Sequence, residues 1–160
     1  MGPKTLAIVG LGLIGGSLAA SLRAARAPWR VRGADRRRRD LDYALRRGLI
    51  DEAAASPIEA ARGADLVVLA TPVGAIRSLL DALAPHLTAG QVVTDVGSTK
   101  ATIVAHAAAV LPGGVGFVGG HPVAGTERSG VEAAVDGLFE GRRCLLTPTE
   151  QTPPEALELV

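Results

Sequence analysis

A short apolar run, Thr5-Leu6-Ala7-Ile8-Val9, ends in Gly10-Leu11-Gly12-Leu13-Ile14-Gly15, and an Ala- and Leu-rich segment continues from Leu13 to Ala25. A buried strand that runs straight into a GxGxxG turn and then a helix leaves few folds open. Gly10 permits the tight turn. Gly12 lets the backbone approach a pyrophosphate, and Gly15 lets the helix pack on the strand. Leu13 and Ile14 open the helix, whose first N–H groups face the phosphates.

A second strand adds weight to the motif. Val31 to Ala34 reads as that strand, and Asp35 stands at its end, twenty residues after Gly15. A carboxylate there can accept from both ribose hydroxyls of a dinucleotide. It favours NAD, because it repels a 2′-phosphate. The run Arg36 to Arg39 leaves NADP open, since an arginine such as Arg36 beside the ribose can bind that phosphate. Otherwise the run is the solvated basic start of a helix.

Strands and helices keep alternating. Arg39 to Arg47 reads as a helix stopped by Gly48, and Ser56-Pro57-Ile58-Glu59 as a capping box whose short helix ends at Gly63. Asp65 to Ala70 contains Leu-Val-Val-Leu, apolar on both faces as a central strand is, and Gln91 to Asp95 reads as another strand. Helices are expected over Gly74 to Leu83 and Thr99 to Leu111, and further strands over Gly116 to Gly120 and Cys144 to Thr147. The product is an α/β domain, a Rossmann-type doubly wound parallel sheet with helices on both faces.

Composition agrees and excludes alternatives. The 160 residues are 48% hydrophobic and 21% charged, which is neither disordered nor too small for a core. No apolar stretch approaches the ~18 residues of a membrane span, and no secretory leader is recognisable. A net charge of +1 and 2% aromatic residues give no basis for nucleic-acid or membrane partners. One cysteine, Cys144, forms no disulfide within the chain and no cysteine-based metal centre, and a reducing cytoplasm is the natural setting. It reads as a buried, inert thiol in its strand.

The tail begins a second capping box, Thr152-Pro153-Pro154-Glu155, and an amphipathic helix that stops after about two turns, below the length that is stable alone. Residues 1–150 are therefore expected to form the dinucleotide-binding domain. Residues 151–160 are expected to start a connecting helix to a part outside this sequence, which packs on this domain.

Ligands of open α/β sheets bind beyond the carboxyl ends of the strands, where strand order reverses. Thr71-Pro72-Val73, Gly97-Ser98-Thr99 and His121-Pro122 all come after strands and belong at that rim with the glycine turn. Of the three histidines, His86 and His106 fall on helices away from the rim, whereas His121 comes after Gly119-Gly120 at the mouth of the cleft. Imidazole suits proton transfer near neutral pH. Ser98 reads both as a helix N-cap and as a group that orients the histidine or the nicotinamide. Lys100 reads as a first-turn surface residue, and no His and carboxylate cluster has metal-ligand spacing.

Gly10 to Ser17 (GLGLIGGS), Thr94 to Lys100 (TDVGSTK), Gly119 to Gly130 (GGHPVAGTERSG) and Leu138 to Gly141 (LFEG) together resemble the prephenate/arogenate dehydrogenase family of tyrosine biosynthesis, in order over almost the whole chain. The resemblance implies NAD-dependent oxidative decarboxylation of a cyclohexadienyl substrate. In such an enzyme hydride passes to nicotinamide from the ring carbon that bears the hydroxyl, and carbon dioxide leaves as the ring becomes aromatic. His121 matches the histidine that hydrogen-bonds the hydroxyl and draws off its proton, and Ser98 matches the serine beside it and the nicotinamide. Thr126 and Glu127 match residues at the substrate entrance. A neutral imidazole as acceptor implies loss of activity at low pH. Family members also carry a helical domain that forms the homodimer and supplies a cation for the substrate carboxylates; that domain is not in this sequence, so the fragment is expected to bind dinucleotide without turnover. Two other readings stay open: a relative of the β-hydroxyacid dehydrogenases or imine reductases, and a non-catalytic dinucleotide-sensing domain.

Overall fold

The computed structural model describes residues 3–160. Seven strands form one sheet: β1 (Lys4–Val9), β2 (Trp29–Ala34), β3 (Glu52–Ala53), β4 (Leu66–Leu69), β5 (Val92–Asp95), β6 (Gly116–Pro122) and β7 (Cys144–Thr147), in the order β3-β2-β1-β4-β5-β6-β7. Helices α1 (Leu13–Ala24), α2 (Arg38–Arg46), α3 (Pro57–Ala61), α4 (Val73–Leu83), α5 (Ala101–Val110) and α6 (Pro154–Leu159) lie between and after them.

The central strands alternate between two cores. Ala7, Val9, Val67 and Leu69 join Ile76, Leu80, Ile103 and Ala107 of α4 and α5 on one side. Leu6, Ile8, Val31 and Val68 join Ala19, Leu41, Ala44 and Ala156 of α1, α2 and α6 on the other. Period-2 alternation with both faces apolar is what a sheet sandwiched by helices demands.

Six strands run parallel, and β7 is antiparallel to β6 with Pro122 opposite Cys144. The sheet is thus mostly, not wholly, parallel. Residues 123–143 leave the end of β6 and return beside it, so no crossover carries the chain to the far edge and the last strand must reverse. The two-residue β3 is a further strand that the sequence pattern does not announce. Cys144 is exposed, not buried, because β7 is an edge strand whose first residues face solvent.

Two helix starts also differ from expectation. Helix α5 begins at Ala101 with Lys100 as its N-cap, so Ser98 lies before the helix and does not cap it. Pro153, not Thr152, precedes α6; Thr152 Oγ1 instead accepts the Thr149 N–H at 2.9 Å and bonds the Phe117 carbonyl at 3.3 Å. The other box forms by half: Ser56 Oγ accepts the Glu59 N–H at 3.1 Å, but Glu59 Oε2 accepts the Ala55 N–H at 2.8 Å and not that of Ser56.

Candidate active site

The chain winds outward from β1 through β2 to β3, then returns to β4 and proceeds the other way, so strand order reverses between β1 and β4. Beyond the carboxyl ends of the strands at this point opens a cleft of about 1000 Å³, at the upper end of the range for small-molecule sites.

Its floor is the glycine turn. Gly10 adopts φ +98°, and a Cβ there would come within 2.6 Å of the Ala70 carbonyl oxygen. A Cβ on Gly15 would collide with the Gly10 carbonyl, so α1 can lie this close to β1 only with glycine. Gly12 faces open space, and no side chain caps α1. The first N–H groups of the helix are left for an anion, the requirement of a pyrophosphate.

Asp35 buttresses this turn. Its Oδ2 accepts the Leu11 N–H and its Oδ1 the Arg37 N–H, at 2.7 and 2.8 Å. The arginines beside it are mostly neutralised within α2 and its approach: Arg37 and Arg39 pair with Asp40, and Arg38 with Asp42. Arg36 lines the cleft and has no ion pair among the described residues.

The opposite wall comes from β4, β5 and β6. Thr71, Pro72, Val73, Ser98 and His121 line it, as do Gly10, Gly12, Leu13, Ile14, Asp35 and Arg36 on the first side. His121 is half-buried, and its Nδ1 is buried with no partner in the chain; Thr71 Oγ1 is orphaned in the same way. Buried polar atoms are normally paired, so two unpaired ones on side chains of the cleft wall are exceptions that a partner would relieve. No hydrogen bond joins Ser98 to His121.

Thr126 and Glu127 are exposed and lie outside the lining, where their own loop contributes Ala124, Arg128, Ser129 and Gly130 instead. No sequence pattern singles out Arg128 within the GTERSG stretch; its N–H bonds Thr126 Oγ1 at 3.1 Å. Lys100 is not a surface residue. Its side chain is 13% exposed, pairs with the buried Asp95 and donates to the Gly120 carbonyl at 2.7 Å. His106 bonds Asp81 at 2.7 Å between α5 and α4, and His86 closes a 3₁₀ turn after α4; neither lines the cleft.

The nucleotide-binding domain model of prephenate dehydrogenase matches residues 18–160. The chain belongs to that family. It is 41% identical to a prephenate dehydrogenase of Bacillus subtilis over 155 residues, covering 96% of this chain and 42% of that protein. Among solved structures, prephenate dehydrogenase of Aquifex aeolicus in complex with hydroxyphenyl propionate and NAD+ superposes with a TM-score of 0.90 at 38% identity, covering 99% of this chain and 55% of that one. An arogenate dehydrogenase of Synechocystis superposes with a TM-score of 0.88 at 39% identity, covering 97% and 54%. The chain thus spans about half the length of these relatives. Membership decides against the β-hydroxyacid dehydrogenase alternative.

Proposed function

We propose that this chain is the nucleotide-binding domain of an NAD-dependent dehydrogenase that oxidatively decarboxylates prephenate or arogenate. The observation that carries the reading is one cleft lined by the Gly10–Gly15 turn, by Asp35 and, across the sheet switch point, by His121 with an unpartnered ring nitrogen. Relatives are named as dehydrogenases of these two substrates, and one binds NAD+.

The residues fit a dinucleotide. The uncapped start of α1 with Gly12, Leu13 and Ile14 would hold the pyrophosphate, and Asp35 the adenosine ribose. Thr71, Pro72, Val73 and Ser98 would border the nicotinamide end. Bound there, the nicotinamide supplies a two-electron hydride acceptor. His121 accepts the proton of the ring hydroxyl while the carbon that bears it is oxidised. Loss of carbon dioxide sends the electrons of the broken C–C bond into the ring, and His121 returns the proton to the same oxygen. Thr126 and Glu127, on the exposed loop, would meet substrate at the entrance. The same reading makes the whole protein a cytoplasmic homodimer, joined through a helical region to which residues 151–160 lead.

In the full-length protein, His121→Asn is expected to lower turnover by about 10²–10⁴-fold with NAD+ affinity kept. Formation of reduced nicotinamide is followed by absorbance with prephenate and with arogenate. Unchanged turnover would remove His121 from the chemistry. A parent protein that binds NAD+ but oxidises neither acid would favour the dinucleotide-sensing reading.

A further inference from the structure

Beneath the catalytic wall lies a buried ion pair that the proposed chemistry does not use. Asp95, at the end of β5, has a side chain with no exposed surface. It binds Lys100 Nζ, accepts the Gly97 N–H at 2.9 Å, and receives a longer contact from the Gly120 N–H at 3.4 Å. Lys100 in turn donates to the Gly120 carbonyl at 2.7 Å. The peptide unit on each side of Gly120 is therefore held, one through its N–H and one through its carbonyl, immediately before His121.

The surrounding glycines show how tightly the knot is packed. A Cβ on Gly97 would lie 2.9 Å from Asp95 Oδ2, and one on Gly120 would lie 2.8 Å from the Asp95 carbonyl oxygen. On Gly119 it would meet Thr147 Oγ1 and sit 3.4 Å from Lys100 Cδ. Gly97 thus makes room for the Asp95 carboxylate, Gly120 for the Asp95 main-chain carbonyl, and Gly119 for Thr147 with the Lys100 stem alongside.

We infer that the Asp95–Lys100 pair is the positioning device that fixes the Ser98 loop and His121 relative to one another at the cleft. Neither residue lines the cleft, so both act through others. Taking two charges out of water is a costly way to gain stability alone, and an apolar pair of similar volume often serves as well. What an apolar pair cannot do is grip an N–H at Gly97, an N–H at Gly120 and the Gly120 carbonyl together. Placement errors of about 1 Å at a reacting group can cost 10²-fold in rate.

The inference rests on the reading of His121 as proton acceptor, and the test separates the two. In the full-length protein, Asp95→Asn, Lys100→Met and the double variant are compared with the parent and with His121→Asn. Lys100→Met alone strands a buried carboxylate and is expected to fold poorly; the double variant removes both charges and keeps the volume. Turnover is expressed per NAD+-binding site, so loss of folded protein cancels. For the double variant the expected result is a kcat about 100-fold down with parental NAD+ affinity, and Lys100→Arg is expected to recover part of the loss. Parental kcat in the folded double variant, with His121→Asn inactive, overturns the positioning role and leaves the histidine in place. Parental turnover in His121→Asn overturns both.

Discussion

Under the proposed function Asp35 would serve two ends with one carboxylate. Both of its oxygens already accept backbone N–H groups, at Leu11 and Arg37, so the side chain is oriented before any ligand arrives. Lone pairs remain for ribose hydroxyls, because a carboxylate offers about four acceptor sites. Asp35→Ala strips the Leu11 N–H of its partner, at a cost of about 1–3 kcal/mol, and removes the negative charge that disfavours a 2′-phosphate. Loss of its charge-assisted hydrogen bonds to the ribose, about 1.5–3 kcal/mol, is expected to lower NAD+ affinity by roughly tenfold or more. NADP+ affinity should fall less, because Arg36 stays at the same end of the cleft. Titration calorimetry with both dinucleotides decides: equal losses would leave Asp35 a support for the turn and nothing more.

At the scale of elements, β2 is held at its edge by a similar device. Asp51 Oδ2 accepts the Val31 N–H at 2.7 Å and pairs with Arg23 of α1 at 2.6 Å, tying helix, strand and the approach to β3 together. Burial pushes its carboxyl up. The Val31 N–H, the Arg23 hydrogen bond and the charges of Arg23 and Arg30 outweigh that and hold it below its ordinary value of 3.8. The folded state therefore binds the proton less readily than the unfolded chain. The stabilisation is complete above that ordinary value and drains away as pH falls through the lower folded one. Asp51 is more than a third exposed, so solvent screening keeps the effect small. Urea unfolding of Asp51→Asn between pH 7 and pH 3 should show a shallower acid decline than the parent; parallel curves would dismiss the contribution.

The same scale shows what a sequence can and cannot disclose. Buried parallel strands announce themselves, because covered faces force apolar residues at every position of β4, most of β1 and half of β5. The glycine turn is legible because steric demands at Gly10 and Gly15 admit nothing larger. Strand direction leaves no such mark. Cys-Leu-Leu-Thr reads alike in either sense, so the reversal of β7 and the exposure of Cys144 were hidden. The burial of Lys100 is equally unannounced: a charge near a helix start is ordinarily solvated, and only the chain's return through β6 sets the Gly120 carbonyl over Lys100, beside the Asp95 carboxylate at the end of β5. His121 was placed at the cleft because its strand could be read, whereas Arg128 needed the path of an irregular loop.

For the molecule as a whole, the cleft is a joint between the two halves of the sheet. One wall belongs to β1, β2 and α1, the other to β4, β5 and β6. The segment 123–143 bridges them: it leaves β6, contributes Ala124, Arg128, Ser129 and Gly130 to the cleft, then fastens to α1. Val131 packs against Gly16, the Val135 N–H bonds Ser17 Oγ at 3.0 Å, and Ser21 Oγ donates to the Asp136 carbonyl at 2.5 Å. A ligand that spans both walls adds contacts across the joint, and binding to the folded state alone raises stability by about 2.7 kcal/mol at 100 times its dissociation constant. For a domain of this size that is a melting shift of roughly 5–10 °C. ADP-ribose carries the adenosine, both phosphates and the second ribose, but no nicotinamide to reach the His121 wall. At matched multiples of the dissociation constant the two ligands must give the same shift, so the informative comparison is at equal concentration. There NAD+ should stabilise this chain more than ADP-ribose, because only it engages both walls. Equal shifts at equal concentration would mean that the His121 side contributes nothing to holding the dinucleotide, and the cleft would then be half a binding site.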